Sequence, residues 1–360
     1  VYNNPALKLD VEDKVKISSN EKQNTLERGD IIFTGSSETA DECGLSSVVT
    51  QDVNEKIYLN SFCFIFRFKN PKIILPDFSK HLFRSEYLRH QIGKTASGVT
   101  RFNVSKKLMA NVTIPLPPLP IQQEIVRILD TFTNLTAELT AELTARRKQY
   151  EYYRDELLTF GEDTREVTLR EVVKHSCSGG TPSKGNVEYY SNGNIPWIRT
   201  QDVRFNEISE VDSYITERAV EETSVKWIPK NCVIVAISGA SAGRCAINKI
   251  EATTNQHCLN MEIDSEKALY KYVFYSICSK YQELLDKKQG ARGDLNSKLI
   301  LDTKIALPDL NVQKYIVNIL DKFNVIISSL TSGIPAEISA RQKQYEYYRN
   351  QLLTFKQIGG

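Results

Sequence analysis

An α+β fold is predicted, with two globular domains in tandem pseudo-symmetric repeat, separated by two long helices packed as an antiparallel coiled coil. Three observations predict it. First, Lys148-Gln149-Tyr150-Glu151-Tyr152-Tyr153-Arg154 recurs letter for letter as Lys343-Gln344-Tyr345-Glu346-Tyr347-Tyr348-Arg349, and both copies run on into Leu-Leu-Thr-Phe, ending at Phe160 and Phe355. Upstream, Leu116-Pro117, Ile125-Val126 and Ile128-Leu129-Asp130 match Leu307-Pro308, Ile316-Val317 and Ile319-Leu320-Asp321, so the chain repeats itself. Second, each copy follows an apolar stripe stepping by fours and threes, the seam of a coiled coil. Third, the segments between mix short strand-like runs with a few helical ones, such as 270–285.

The first domain, residues 1–119, contains Leu26-Glu27-Arg28-Gly29-Asp30-Ile31-Ile32-Phe33, a turn feeding a buried strand. It ends on Gly98-Val99-Thr100-Arg101-Phe102-Asn103 and the proline-bearing run 115–120, which forces an extended entry to the helix that follows. Spacer helix 1, residues 120–160, carries Ile121, Ile125, Ile128, Phe132, Leu135 and Leu139 on one stripe, resumed by Tyr150, Tyr153 and Leu157. Within it lies a tandem tetrapeptide, Thr136-Ala137-Glu138-Leu139 and Thr140-Ala141-Glu142-Leu143. The second domain, 161–310, repeats the turn and strand as Ile228-Pro229-Lys230-Asn231-Cys232-Val233-Ile234-Val235, and the pre-helix segment as residues 290–296. Spacer helix 2, 311–360, carries Val312, Ile316, Ile319, Phe323, Ile326 and Leu330, then Tyr345, Tyr348 and Leu352. Its Ser332-Gly333-Ile334-Pro335 predicts a stop and a restart. The offset between the copies grows from 191 to 195 residues across this region, so the second arm is four residues longer.

Composition narrows the function. Forty-one per cent of the 360 residues are hydrophobic and 25% charged, the formal net charge is +2, and the densest apolar run, 233–237, is far short of a membrane span. No charged and apolar leader opens the sequence, and the seven scattered cysteines form no CxxC pair, so a cytoplasmic protein with reduced thiols is expected. Gly180 and Gly185 have the spacing of a phosphate loop, but Asn186 and Val187 follow where Lys and Ser or Thr are needed. Pro117-Pro118 sits between leucines and cannot hold a target amine as an amino-methyltransferase loop does. Pro76-Asp77 and Pro308-Asp309 lack a downstream ExK, and Glu12-Asp13-Lys14 lacks a preceding PD, so no nuclease motif is complete. His175-Ser176-Cys177 and His257-Cys258 lack a second pair at metal-ligand spacing. No catalysis and no metal are expected in this chain.

The same residues are similar to a known family. The tandem of domain and long helix, Arg341 to Arg349, Gly179-Gly180-Thr181-Pro182-Ser183-Lys184, Ile195-Pro196-Trp197-Ile198-Arg199 and the Thr-Ala-Glu-Leu tandem closely resemble the DNA-specificity (S) subunit of type I restriction-modification systems, in the subgroup with tetrapeptide repeats in its spacer. The resemblance covers essentially the whole chain. It implies two target-recognition domains, each reading one half of a bipartite asymmetric site in double-stranded DNA. The helices would act as a ruler and as docking sites for two methyltransferase (M) subunits, which bind S-adenosylmethionine and methylate adenine. Restriction (R) subunits would join for ATP-dependent translocation and cleavage, so S-adenosylmethionine, Mg and ATP are expected on partner subunits and no cofactor on this chain. The first half lacks the Gly-Gly-Thr-Pro and Pro-Trp-Ile-Arg segments of the second, so the amino-terminal part of its domain is expected to be truncated or divergent. Two alternatives stand beside this reading. One is a protein-binding coiled-coil scaffold, which the near-neutral charge suits; the other is an orphan specificity subunit.

Affinity for DNA needs cations on phosphates, and sequence reading needs hydrogen bonds to base edges. In the first domain Arg84, Arg89, Lys94, Arg101, Lys106 and Lys107 face only Glu86 over their window, with Thr100 beside them. In the second, Lys287, Lys288, Arg292, Lys298 and Lys304 form the matching cluster, against Asp286, Asp294 and Asp302. Arg199, Thr200 and Gln201, just after a core Trp197, are candidate base readers, Lys184 is a further DNA-binding candidate, and Ser241 with Arg244 belongs to a small-residue loop able to approach DNA. Tyr150, Tyr153, Tyr345 and Tyr348 lie on the seam, which reserves Tyr152, Arg154, Tyr347 and Arg349 for partner docking.

Overall fold

The computed structural model describes residues 4–11, 13–18, 21, 23–288 and 294–355, without the side chains at 327–332. The chain divides into two compact units, Val1–Leu143 with Ser332–Gly360, and Thr144–Thr331. Sequence halves and compact units are therefore cut differently. Each unit holds the start of one long helix and the end of the other.

In the first unit the strands are β1 (Ile31–Thr34), β2 (Ser36–Ser37), β3 (Ser46–Val48), β4 (Cys63–Phe66), β5 (Ala96–Ser97) and β6 (Phe102–Val104), and the helices are α1 (Pro76–Leu82), α2 (Glu86–Gly93), α3 (Lys106–Met109) and the first part of α4 (Leu119–Leu157). They make two antiparallel sheets, ordered β3-β1-β4 and β2-β6-β5. The chain enters β1 through Gly29 at φ +94°, with the Gly29 amide donating to the Val49 carbonyl at 2.8 Å. Ile31 and Phe33 of β1, Phe78 and Leu82 of α1, Leu88 and Ile92 of α2, and Ile125 and Leu129 of α4 share one core with Leu353. Each such side chain contributes about 1.5–3 kcal/mol by leaving water.

In the second unit the chain continues through β7 (Glu166–Thr168), α5 (Leu169–Val172), β8 (Val173–Ser178), β9 (Ile195–Ile198), β10 (Asn206–Ile208), β11 (Tyr214–Ile215), α6 (Glu217–Glu222), β12 (Trp227–Ile228), β13 (Val233–Ala236), β14 (Cys245–Asn248), β15 (Ala252–Thr254) and β16 (Cys258–Ile263). It closes with α7 (Tyr270–Ser279), α8 (Tyr281–Asp286), α9 (Ser297–Leu301), β17 (Lys304–Ala306) and the first part of α10 (Leu310–Leu352). A five-stranded sheet runs β10-β14-β13-β16-β8, a four-stranded one β11-β9-β15-β12, and β17 pairs with β7. The buried strand β13 is entered as β1 is: Asn231 takes a left-handed φ of +66°, and its amide donates to the Asn248 carbonyl at 2.7 Å. Asn is among the few side chains that tolerate this conformation, so the two sequence-matched turns close alike.

The long helices pair antiparallel inside each unit. Phe132 of α4 stacks on Tyr348 of α10 at 5.4 Å while Ile125 and Leu129 share a core with Leu352 and Leu353. In the second unit Tyr153 of α4 stacks on Phe323 of α10 at 5.9 Å, and Leu157 and Leu158 join the core of Ile316 and Leu320. Ile121 and Val312, the first residues of the two stripes, stay exposed because the opposing helix ends before it reaches them.

Two local expectations are corrected. The second spacer helix does not stop at Gly333–Pro335: α10 runs without interruption from Leu310 to Leu352 with Pro335 inside it. An interior proline forfeits one backbone bond and clashes with the preceding turn, about 3 kcal/mol, but the stretches on both sides are each fixed by packing in a unit. The expected helix 270–285 is two helices, α7 and α8, broken at Lys280. There the Ser279 hydroxyl donates back to the Ser276 carbonyl at 2.8 Å, offering the backbone an alternative to helical bonding.

Candidate nucleic-acid interface

Both units are built on one recurring device. Gln122, fully buried on α4, accepts from the Leu75 amide at 2.9 Å and donates to the carbonyls of Ile73 and Pro117 at 2.9 and 2.8 Å. Gln313, fully buried on α10, accepts from the Leu269 amide at 2.9 Å and donates to the carbonyls of Lys267 and Pro308. About two turns on, Asp130 is held by Lys80 at 3.0 Å and by His81 Nε2 at 2.7 Å, and Asp321 by Lys271 at 2.8 Å and the Tyr275 hydroxyl at 2.7 Å. His81 Nδ1 also meets the Tyr345 hydroxyl at 2.9 Å, which ties the second KQYEYYR copy to the first unit.

Electrostatics follow from burial. Desolvation pulls His81 below its ordinary pKa, and the hydrogen bond that it donates to Asp130 only partly opposes it. Burial alone raises Asp130, but the hydrogen bonds from His81 and Lys80 more than offset that and leave it below its ordinary value. Tyr275 and Tyr150 are pushed up, chiefly by burial, so both phenols stay protonated. Asp130 and Asp321 are visible in the sequence repeat; Gln122 and Gln313, at the same offset, escaped notice although the same comparison reveals them.

Around this scaffold the basic residues of the first unit divide into two groups. Arg84 turns inward, its Nε donating to the Ser46 carbonyl at 2.8 Å. Arg89 donates to the carbonyls of Asp41, Cys43 and Gly44, stapling the 41–44 loop to α2. Lys94, Arg101, Lys106 and Lys107 are exposed and make no ion pair among the described residues. Arg101 follows the exposed Thr100 on the β5–β6 hairpin, whose Gly98 (φ +152°) closes so tightly that a Cβ would lie 1.9 Å from the Arg101 carbonyl oxygen. The Arg101 Nε donates to Ser36 Oγ at 2.8 Å with its guanidinium 4.8 Å from the Phe62 ring centre, and the Lys106 ammonium lies 5.4 Å from that of Phe64. This orients both cations without neutralising either.

In the second unit Lys184 and Arg199, fifteen residues apart in sequence, line one surface cleft of about 340 Å³ together with Tyr190, Trp197, Asp212 and Tyr214. Trp197 is buried, its indole donating to the Gly180 carbonyl at 3.1 Å. Thr200 is half-buried; Gln201 is exposed and its carbonyl accepts from Arg204. Ser241 ends a short turn and accepts through its carbonyl from the Arg244 amide; both side chains are half-buried. Lys287 pairs with Glu283 at 2.6 Å, Lys288 is half-buried and Lys298 is exposed on α9. Arg292, in the 289–293 segment, lies outside the described residues, as does the Leu330 side chain.

Of the residues reserved for docking, Tyr152 and Tyr347 are 64% and 61% exposed. Arg154 and Arg349 instead fold over Tyr150 and Tyr345 on their own helices. Among the described residues no three His, Cys, Asp or Glu side chains are grouped to hold a metal ion, and no helix is long and apolar enough to cross a membrane.

The arrangement can be set against known proteins. The sequence profile of the type I restriction modification DNA specificity domain matches residues 2–146 and 161–340, once for each half of the repeat. The chain belongs to this family. It is 43% identical over 264 residues to the EcoR124I/EcoR124II specificity subunit of Escherichia coli, an alignment covering 70% of this chain and 65% of that protein. It is 34% identical over 282 residues to S.HindORF215P of Haemophilus influenzae, named as a type I restriction enzyme specificity subunit, covering 72% and 68%. The chain thus spans about two thirds of the length of these curated relatives. The fold matches a chain from a solved type I R-M system, studied for its complex assembly and conformational transition, with TM-score 0.63 and 17% identity over 93% of this chain and 84% of that one. The resemblance read from the repeat and the GGTPSK and IPWIR segments is borne out at the level of the family.

Proposed function

We propose that the chain is the DNA-specificity subunit of a type I restriction-modification complex, non-catalytic itself, in which each globular domain reads one half of a bipartite asymmetric site. The observation that carries this reading is a constant scaffold under divergent surfaces. Gln122 with Asp130 and Gln313 with Asp321 recur, while the cations around them differ in number, position and setting. Two readers of different sequences on equivalent mounts require that combination.

The domains are assigned to 1–119 and 161–310 and the spacers to 120–160 and 311–360, whose described helices are Leu119–Leu157 and Leu310–Leu352, and the Thr-Ala-Glu-Leu tandem supports membership of the tetrapeptide-repeat subgroup. Lys94, Thr100, Arg101, Lys106 and Lys107 face DNA from the first domain, and Lys184, Arg199, Thr200, Gln201, Ser241, Arg244, Lys288 and Lys298 from the second. Arg84, Arg89 and Lys287 support that face through carbonyl and carboxylate partners. Tyr152 and Tyr347, exposed at equivalent places of the repeat, contact two methyltransferase subunits, and Arg154 and Arg349 hold the neighbouring tyrosines. Adenine methylation, S-adenosylmethionine, Mg, ATP and cleavage belong to the M and R partners, and the complex works in the cytoplasm, where seven unpaired thiols are at home.

The test is methyl transfer from labelled S-adenosylmethionine to DNA by the chain alone, by the methyltransferase subunits alone and by both. Sequence-specific labelling only in the mixture is expected; transfer by this chain alone overturns the reading. Converting Arg101, Lys106 and Lys107 together to alanine should weaken binding to all sequences and flatten the salt dependence by up to ~0.9 per lost phosphate contact.

A further inference from the structure

The cleft between Lys184, Arg199 and Asp212 carries charges of both signs that do not neutralise one another. Arg199 Nε is shut off from solvent and meets no acceptor, and no hydrogen bond or ion pair is made by the side chains of Arg199, Asp212 or Lys184 among the described residues. Of these groups only the Arg199 Nε is unsatisfied in the free protein, while Asp212 and Lys184 are exposed and hydrated; a ligand supplying both an acceptor and a donor can engage the solvent-facing charges of the cleft in place of water.

The cleft wall is rigid. Trp197 is buried and bound to Gly180, the Tyr190 hydroxyl donates to the Pro182 carbonyl, and β11 and β9 pair with Tyr214 opposite Pro196. At Gly180 a Cβ would lie 2.6 Å from the Val225 amide, so the segment leading to Lys184 is seated against backbone. The floor that carries Arg199 therefore does not need to be ordered by DNA.

In the major groove guanine offers two acceptors, N7 and O6, and its cytosine partner offers the N4 amino donor. Arginine matches the first bidentately and aspartate accepts from the second. A phosphate alone fits poorly, because Asp212 would repel it. We infer that this cleft reads a G·C base pair, with Arg199 donating to guanine O6 and N7, Asp212 accepting from cytosine N4, and Lys184 anchoring a flanking phosphate. This rests on the DNA-reading function proposed above and assigns it a base pair and two specificity-determining residues.

The experiment selects duplexes from a random-sequence library with the full chain, in complex with the methyltransferase subunits of its own system, as wild type, Arg199→Met, Asp212→Asn and Lys184→Met. Wild type is expected to select a bipartite motif. Arg199→Met should lose the preference at one G·C pair and keep the rest of the motif, and Asp212→Asn should relax the same pair. 7-Deazaguanine at that position, which removes N7, should weaken wild-type binding roughly ten-fold and leave Arg199→Met unaffected. Lys184→Met should bind every sequence more weakly with the motif unchanged, which also shows that a substitution in the cleft is tolerated by the fold. If Arg199→Met and Asp212→Asn select the wild-type motif, or if 7-deazaguanine has no effect at any guanine, the G·C assignment is wrong while DNA reading stands. If wild type selects no sequence at all, DNA reading fails and the assignment fails with it.

Discussion

Replacing Gln122 by alanine should destabilise the first unit by about 3 kcal/mol. The side chain is fully buried and makes three hydrogen bonds of 2.8–2.9 Å, all to backbone groups of the segments leading into α1 and α4. Each is worth about 1 kcal/mol net, and the cost rises toward 5 kcal/mol if water cannot reach the orphaned Leu75 amide and the two carbonyls. Gln313→Ala should cost the second unit somewhat less, since its contact to the Lys267 carbonyl is longer, 3.4 Å. The assay is urea unfolding of the full chain, combined with hydrogen exchange resolved at Leu75 and Leu269. Exchange at Leu75 should accelerate in Gln122→Ala with Leu269 unchanged, and the reverse in Gln313→Ala. A loss below about 0.5 kcal/mol, the range of an ordinary surface substitution, with unchanged exchange at Leu75, would refute the reasoning.

Two further outcomes follow. His81 has a folded-state pKa below its ordinary 6.5, so the unfolded chain binds the proton more readily; the first unit should lose stability as pH falls below that value, and His81→Gln should remove this dependence in thermal melts at pH 5 and 7.5. Inserting one more Thr-Ala-Glu-Leu after Leu143 adds about 6 Å and about 40° of rotation, so methylation-site mapping should find the unread spacer longer by about one or two base pairs at 3.4 Å each. A two-residue insertion, which swings the stripe by about 200°, should abolish activity; an active four-residue variant with an unchanged spacer would show that the helix does not set the distance.

What the sequence made legible is what periodicity and repetition encode. Ile125 and Ile316 lie on stripes whose period alone requires a partner, and Phe132 with Tyr348 and Tyr153 with Phe323 meet across antiparallel helices, whereas the fully buried Leu129 and Leu320 lie off those stripes. The turns at Gly29 and Asn231 were legible because left-handed backbone narrows the choice of residue. Gln122 and Gln313 look like surface residues of an amphipathic helix; their burial depends on backbone some 45 residues upstream that no local pattern reveals. Charge counting treats every arginine as a solvated cation, yet Arg89 spends its donors on the carbonyls of a loop far back in sequence. Lys184 and Arg199 were individually visible, but their convergence with Asp212 on one cleft depends on how β9 pairs with β11. Pro335 misled because a local helix-breaking preference is overridden when packing holds both flanks.

The most direct measurement of the central claim, two independent readers on one spacer, is the methylation pattern laid down after replacing residues 161–306 by the equivalent domain of a relative. Mapped in the presence of the methyltransferase subunits, the hybrid should modify sites in which one half-site is new and the other is unchanged, at the original spacing. A hybrid that folds and methylates but changes both half-sites together would contradict the account.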